Sequence, residues 1–263
     1  MTALLIVAVT AGLSATMAGA WLVQRATHNA GWADVIWSFA TGAAGVAYAL
    51  AVRPGGPGAR QLLLAALIVA WSLRLCLHIL DRTRGRREDT RYAAFRTAWG
   101  AAYEWRMFWF LQIQAGAAAL LALSMLLAAA NPRTGLGVGD LAGVAVLASA
   151  VAGEAVADWQ LRRFRADPRN HNLVCDHGLW GWSRHPNYFF EWLGWLAYPL
   201  FAIGAWPWGW LALSGPLCMY WLLVHVSGIP PLEQQMLRSR GETYRAYQAR
   251  VSAFFPLPNR RLT

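Results

Sequence analysis

The feature that most constrains this chain is a series of long apolar runs, each about as long as the hydrocarbon core of a bilayer is thick. A helix rises about 1.5 Å per residue, so roughly 20 apolar residues cross that core. Seven stretches meet or approach this length: Met1–Val23, Trp32–Val52, Gln61–Leu80, Met107–Ala130, Leu141–Trp159, Tyr188–Ile203 and Trp208–Val226. In lipid every backbone N–H and C=O must be satisfied within the chain, so such runs form helices. The expected fold is therefore all-α, a polytopic membrane protein with seven transmembrane helices. It is expected to be a single integral membrane domain over 1–263. Helices one to four lie in 1–130; helices five to seven and a tail lie in 131–263. The sixth run is short and carries Pro199, so six spans result if it joins the seventh as one broken unit. The first run lacks a basic start and is too long for a signal peptide's apolar region, so it is expected to stay as a span.

The charge pattern orients these helices. All 23 basic residues are arginine, against 13 acids, for a net charge of +10. Such a charge can serve nucleic acid, but its distribution says otherwise. With the N-terminus outside, 19 arginines fall on the cytoplasmic side, three (Arg53, Arg60, Arg133) fall opposite, and Arg74 lies within a span. Basic loops face the cytoplasm, so the expectation is N-terminus out, C-terminus in, with no nucleic-acid partner. Trp21, Trp105, Trp109, Trp206, Trp208 and Trp210 lie near run ends, where interfacial tryptophans anchor. The expected location is a bacterial-type cytoplasmic (inner) membrane, with the long loops and the site facing the cytoplasm. An apolar content of 57% excludes disorder. Three cysteines (Cys76, Cys175, Cys218) support neither a disulfide framework nor a metal site. The Gly-x-Gly-x-Gly at 135–139 follows no strand and is not a dinucleotide fingerprint.

Ionisable residues inside spans are costly and mark candidate sites. Asp34, Arg74, His78, Glu154, Asp158 and Glu191 are such residues. On the fifth helix Glu154, Asp158, Arg162 and Arg165 form one stripe, from two carboxylates to two arginines. It is either an ion-pair ladder toward another helix or the wall of a polar cavity whose arginines meet phosphate or carboxylate. On the third helix Trp71, Arg74, His78 and Asp81/Arg82 share a face. Asp34 starts the second helix, where it either caps that helix or joins a site. The densest segment is 176–191. There Pro186 suits a first helical turn, and Asn187 and Glu191 project together. The tail after Val226 carries Glu233, Met236, Leu237, Tyr244 and Tyr247, and is expected to fold back as an amphipathic cytoplasmic cap.

Gly178-Leu-Trp-x-x-Ser-Arg-His-Pro-Asn-Tyr-x-x-Glu191, then Gly241-x-x-Tyr-x-x-Tyr247 and Pro256, resembles the membrane reductase superfamily of steroid 5α-reductases and sterol reductases. The closest likeness is to its bacterial, largely unassigned branch, and it runs from about Asp34 to Pro256. Isoprenylcysteine carboxyl methyltransferases are more distantly similar. The resemblance implies a bundle whose C-terminal half holds NADPH. It implies Glu154, Asp158, Arg162, Arg165, Arg184, His185, Asn187, Tyr188, Glu191, Glu233, Tyr244 and Tyr247 as the cofactor set, with Asn187 and Glu191 at the nicotinamide. No metal is implied.

The implied chemistry is reduction of a carbon–carbon double bond in a lipid or steroid-like enone drawn from the bilayer among helices one to four. The chain departs from the steroid enzymes in two places. Its second helix has no Gln or Glu, and Ile79 stands where the resemblance calls for a catalytic Tyr. His78, Asp34 and Tyr92 are the available proton donors, His78 foremost, because imidazole titrates near neutral pH. Two alternatives remain. A methyltransferase using S-adenosylmethionine shares Arg184-His-Pro186, but carries a tail Glu pair where this chain has Glu233-Gln234. A transporter or structural subunit is the third class; the chain shows no internal repeat, against an inverted-repeat transporter.

Overall fold

The computed structural model describes residues 2–85, 88–204 and 206–259. No described residue lies in a strand; Ser183 and Ser252 form one isolated bridge. The α-helices are α1 (Thr2–Thr27), α2 (Gly31–Ala51), α3 (Ala59–Thr83), α4 (Thr90–Trp99), α5 (Tyr103–Ala129), α6 (Val138–Ala166), α7 (Pro186–Trp195), α8 (Ala197–Ala202), α9 (Ser214–Trp221), α10 (Ile229–Arg240) and α11 (Glu242–Arg250). Among the described residues, six helical segments are long and apolar enough to cross a membrane. They are Thr2–Thr27, Gly31–Ala51, Ala59–Thr83, Thr90–Ala129, Val138–Ala166 and Pro207–Arg240. The stretch expected as a sixth span forms two short helices instead, α7 and α8, of 10 and 6 residues. The connection expected over 81–106 holds α4, whose start is capped by the Asp89 carboxylate accepting from the Arg91 N–H at 3.0 Å.

The chain divides into two compact units, Met1–Ala142 with Tyr198–Cys218, and Gly143–Ala197 with Met219–Thr263. In the first, α2 packs closely against its neighbours because its inward positions are small. Ala33, Ala40, Gly42, Ala44 and Gly45 are buried, and a Cβ at Gly42 would overlap Ser72 of α3. Ser72 Oγ donates to the Ser38 carbonyl at 3.0 Å across this contact. Met17, Tyr48, Met107 and Leu111 fill the apolar core beside it.

The first unit is also held by a buried ion pair. Arg60, in the first turn of α3, donates from Nε and Nη2 to the two Asp140 oxygens at 2.6 and 2.9 Å. Its guanidinium also donates to the carbonyls of Arg133 and Gly135, each at 2.7 Å, and of Asn131 at 3.3 Å. The turn at 131–135, plain by sequence, is thus wrapped around an arginine only 3% exposed. Asn131 Nδ2 donates to the Phe201 carbonyl at 2.6 Å, tying the start of the same turn to α8.

In the second unit α6 and α7 meet closely. A Cβ at Gly153 would overlap the Phe190 ring, so glycine lets the two helices approach. Phe189 and Trp192 of α7, Tyr220 of α9 and Phe254 of the C-terminal segment pack edge to face.

Removing one partner of a buried ion pair leaves an uncompensated charge, at a cost of about 3–5 kcal/mol. Asp140→Ala is therefore expected to lower the thermal unfolding temperature in detergent by many degrees. A shift no larger than that of an exposed control such as Glu242→Ala would contradict this role for the pair.

Candidate functional site

In the second unit the sequence stripe on α6 and the polar motif on α7 come together. Glu154 and Asp158 lie one turn apart on α6 and are 6% and 5% exposed. Asn187, at the start of α7, donates from Nδ2 to Asp158 Oδ1 at 3.4 Å. Glu191, one turn further, is buried and accepts from Trp195 Nε1 at 2.9 Å. Arg162 and Arg165 continue the α6 stripe onto exposed surface. The arrangement is a buried carboxylate row with an amide beside it, leading along one helix to two cations.

The loop before α7 is fixed onto α6 by Trp180 of the motif and by Gln160, which the sequence did not single out. Gln160 Oε1 accepts from the Leu179 N–H at 3.0 Å, and Trp180 Nε1 donates to the Ala157 carbonyl at 3.0 Å. Gly178 has φ +60 and lies against the Gln160 side chain, so a Cβ there would be both strained and crowded.

The tail closes on this loop through a polar latch. Arg184 Nε donates to Glu233 Oε1 at 2.7 Å, and Arg184 Nη1 donates to the Val251 carbonyl at 2.6 Å. Gln248 Nε2 donates to Glu233 Oε2 at 2.8 Å. His185 Nε2 lies 3.2 Å from Glu233 Oε1, and its ring stacks on Tyr188. Tyr247 donates its hydroxyl to the Trp180 carbonyl at 2.6 Å. Tyr244 and Tyr247 are both 2% exposed, and burial pushes both phenols up, so neither ionises near neutral pH. The twelve residues expected to form one cofactor set thus fall into parts. Glu154, Asp158 and Glu191 are the buried carboxylates, with half-buried Asn187 beside Asp158, and Arg162 and Arg165 are the exposed end of the row. Arg184, His185, Glu233 and Tyr247 bind one another or the backbone, with Tyr188 and Tyr244 packed against them.

In the first unit Asp34 does not cap α2. Its Oδ1 accepts from the Tyr92 hydroxyl at 2.6 Å and its Oδ2 from Arg91 Nη2 at 2.7 Å. Arg91 also bonds Asp89 at 3.0 Å, and Arg82 pairs with Asp89 at 3.2 Å. Asp34 and Tyr92, far apart in sequence, are therefore one hydrogen-bonded pair, while His78 sits half-buried on α3.

The latch carries a pH dependence. Burial holds the His185 imidazole below its ordinary value of 6.5, outweighing the pull of the Glu233 carboxylate. A neutral ring then donates from Nε2 to Glu233. Below about pH 6.5 the unfolded chain binds a proton that the folded one does not, so stability is full above that pH and falls as the pH drops. His185→Gln is expected to flatten this slope in thermal unfolding between about pH 7.5 and about pH 5.5. Equal slopes in variant and wild type would show that His185 is not held neutral.

A family model described as a protein of unknown function, DUF1295, matches residues 20–251. Comparison with curated proteins and with solved structures returns no match. The matched stretch takes in the carboxylates on α6, the motif on α7 and the latch. The chain belongs to the DUF1295 family.

Proposed function

We propose that this protein is an NADPH-dependent membrane oxidoreductase, steroid 5α-reductase-like, that reduces a carbon–carbon double bond in a lipid or steroid-like enone. In this reading it spans a bacterial inner membrane seven times, N-terminus out and C-terminus in, with its site toward the cytoplasm. The observation that carries the reading is the contact of Asn187 with Asp158. It joins two sequence features that were separately suited to one ligand.

The residues present fit the cofactor. A nicotinamide carboxamide offers an acceptor oxygen and a donor NH₂, which suit an Asn amide and a carboxylate one turn apart. Asn187 and Glu191 are that pair, and the Trp195 indole holds Glu191 in place. Arg162 and Arg165 would meet the phosphates as bidentate forks. S-adenosylmethionine has no carboxamide for such a pair to read. Arg184, His185, Glu233, Tyr244 and Tyr247 act at one remove, holding the tail against the loop that leads into α7 and Asn187.

When bound, NADPH supplies a hydride. The chain must supply a proton and polarise the carbonyl conjugated to the double bond as enolate charge develops. The Tyr92 hydroxyl is already engaged as hydrogen-bond donor to Asp34, which leaves His78 as the proton donor to the carbonyl oxygen. Asp34 then acts as the fixed acceptor that orders Tyr92 and Arg91.

Purified protein is expected to be stabilised against heat by NADPH and not by S-adenosylmethionine. Asn187→Ala is expected to weaken NADPH binding about tenfold or more, the scale of losing a hydrogen bond in a buried polar site. Stabilisation by S-adenosylmethionine alone would make the protein a methyltransferase. Stabilisation by neither would favour a transporter or structural subunit.

A further inference from the structure

Outside the residues assigned so far, the first unit carries a groove on α5. Trp105, Trp109 and Ile113 fall four residues apart along one stripe of the helix, with Arg106 and Phe110 on the adjacent one. Trp99, at the end of α4, closes the side, and the cavity between them holds about 340 Å³. That volume lies in the range of roughly 300–1,000 Å³ typical of small-molecule sites. Trp105, Trp109 and Ile113 are 66%, 50% and 70% exposed, so the groove is an outward-facing surface of the bundle.

What distinguishes the groove is its charge. Four arginines near this end of the unit are neutralised: Arg25 by Glu104 at 3.6 Å, Arg82 by Asp89, Arg91 by Asp34, and Arg96 by Glu88 at 3.1 Å. Arg106 is exposed and makes no hydrogen bond or ion pair with any described residue. An unneutralised guanidinium therefore stands at the lip of an apolar channel in the first turn of a membrane-length helix. The channel runs from Arg106 to Ile113, about 10 Å along the axis at 1.5 Å per residue.

We propose that this groove is a binding site for an anionic phospholipid. The headgroup phosphate pairs with Arg106, and an acyl chain lies along Trp109, Phe110 and Ile113. A guanidinium matches a phosphate in charge and hydrogen-bond geometry. Basic residues at the membrane surface favour anionic lipid by about 1 kcal/mol each. Indole walls suit the boundary between headgroup and chain. A groove lined by six residues falls well short of the roughly 20–30 residues a side of a stable protein interface. A lipid is therefore favoured over a second copy of the chain.

The test is native mass spectrometry of the full-length protein in detergent, with phosphatidylglycerol and phosphatidylcholine of matched acyl chains. Wild type is expected to retain phosphatidylglycerol about fivefold better, the preference that one surface arginine confers. Arg106→Gln is expected to abolish that preference, and Trp109→Ala to reduce retention of both lipids. Arg238→Gln, which removes an exposed arginine from the tail, is expected to leave the preference intact. Equal retention of the two lipids by wild type would overturn the site. So would an equal loss in Arg238→Gln, which would make the preference a property of net charge. A dimer that Trp109→Ala dissociates would also overturn it, by making the groove an interface between copies.

Discussion

A charged side chain buried in an apolar bundle costs several kcal/mol unless hydrogen bonds and a counter-charge meet it. This protein meets that demand with sets of polar side chains rather than isolated pairs. Arg60 spends its donors on Asp140 and three carbonyls. Asp34 is held by a phenol and a guanidinium, Glu191 by an indole, and Glu233 by an arginine and an amide. The sets around Arg60, Asp34 and Glu233 join segments distant in sequence, so each of these fixes the fold as well as neutralising a charge.

The candidate site follows from the same constraint. Glycine at 153 brings α7 against α6, and that approach puts Asn187 beside Asp158. The tail then closes on the preceding loop through Arg184 and Glu233. Residues that look alike in sequence therefore have different work. Asn187 and Glu191 belong to the buried row, whereas Tyr247, whose hydroxyl is committed to the Trp180 carbonyl, holds the loop in place.

Much of this was legible in the sequence. The first four apolar runs became helices with ends close to those expected, because length and apolarity alone decide such elements, whereas the fifth runs on past Trp159 to Ala166. The stripe at Glu154 and Asp158 and the pair at Asn187 and Glu191 were visible as helical periodicities. Trp195 was within reach too, since it lies one turn beyond Glu191. Other features had no local signal. Arg60 and Asp140 are 80 residues apart, and Arg60 counted only as a charge outside the membrane. The break between α7 and α8 was signalled by Pro199, which lies in the first turn of α8, but its place at Leu196 was not, because apolar residues continue through it. Helix α4 was masked by the arginines around it, although Asp89 was a cap in plain view.

The central claim is that the buried row of α6 and α7 holds the nicotinamide end of NADPH. An experimental structure of the protein with NADPH added tests it most directly. The account predicts density for the carboxamide within hydrogen-bonding distance of Asn187 and Glu191, with phosphates beside Arg162 and Arg165. A well-resolved structure at saturating NADPH with the dinucleotide bound elsewhere, or with no density at these residues, would contradict it.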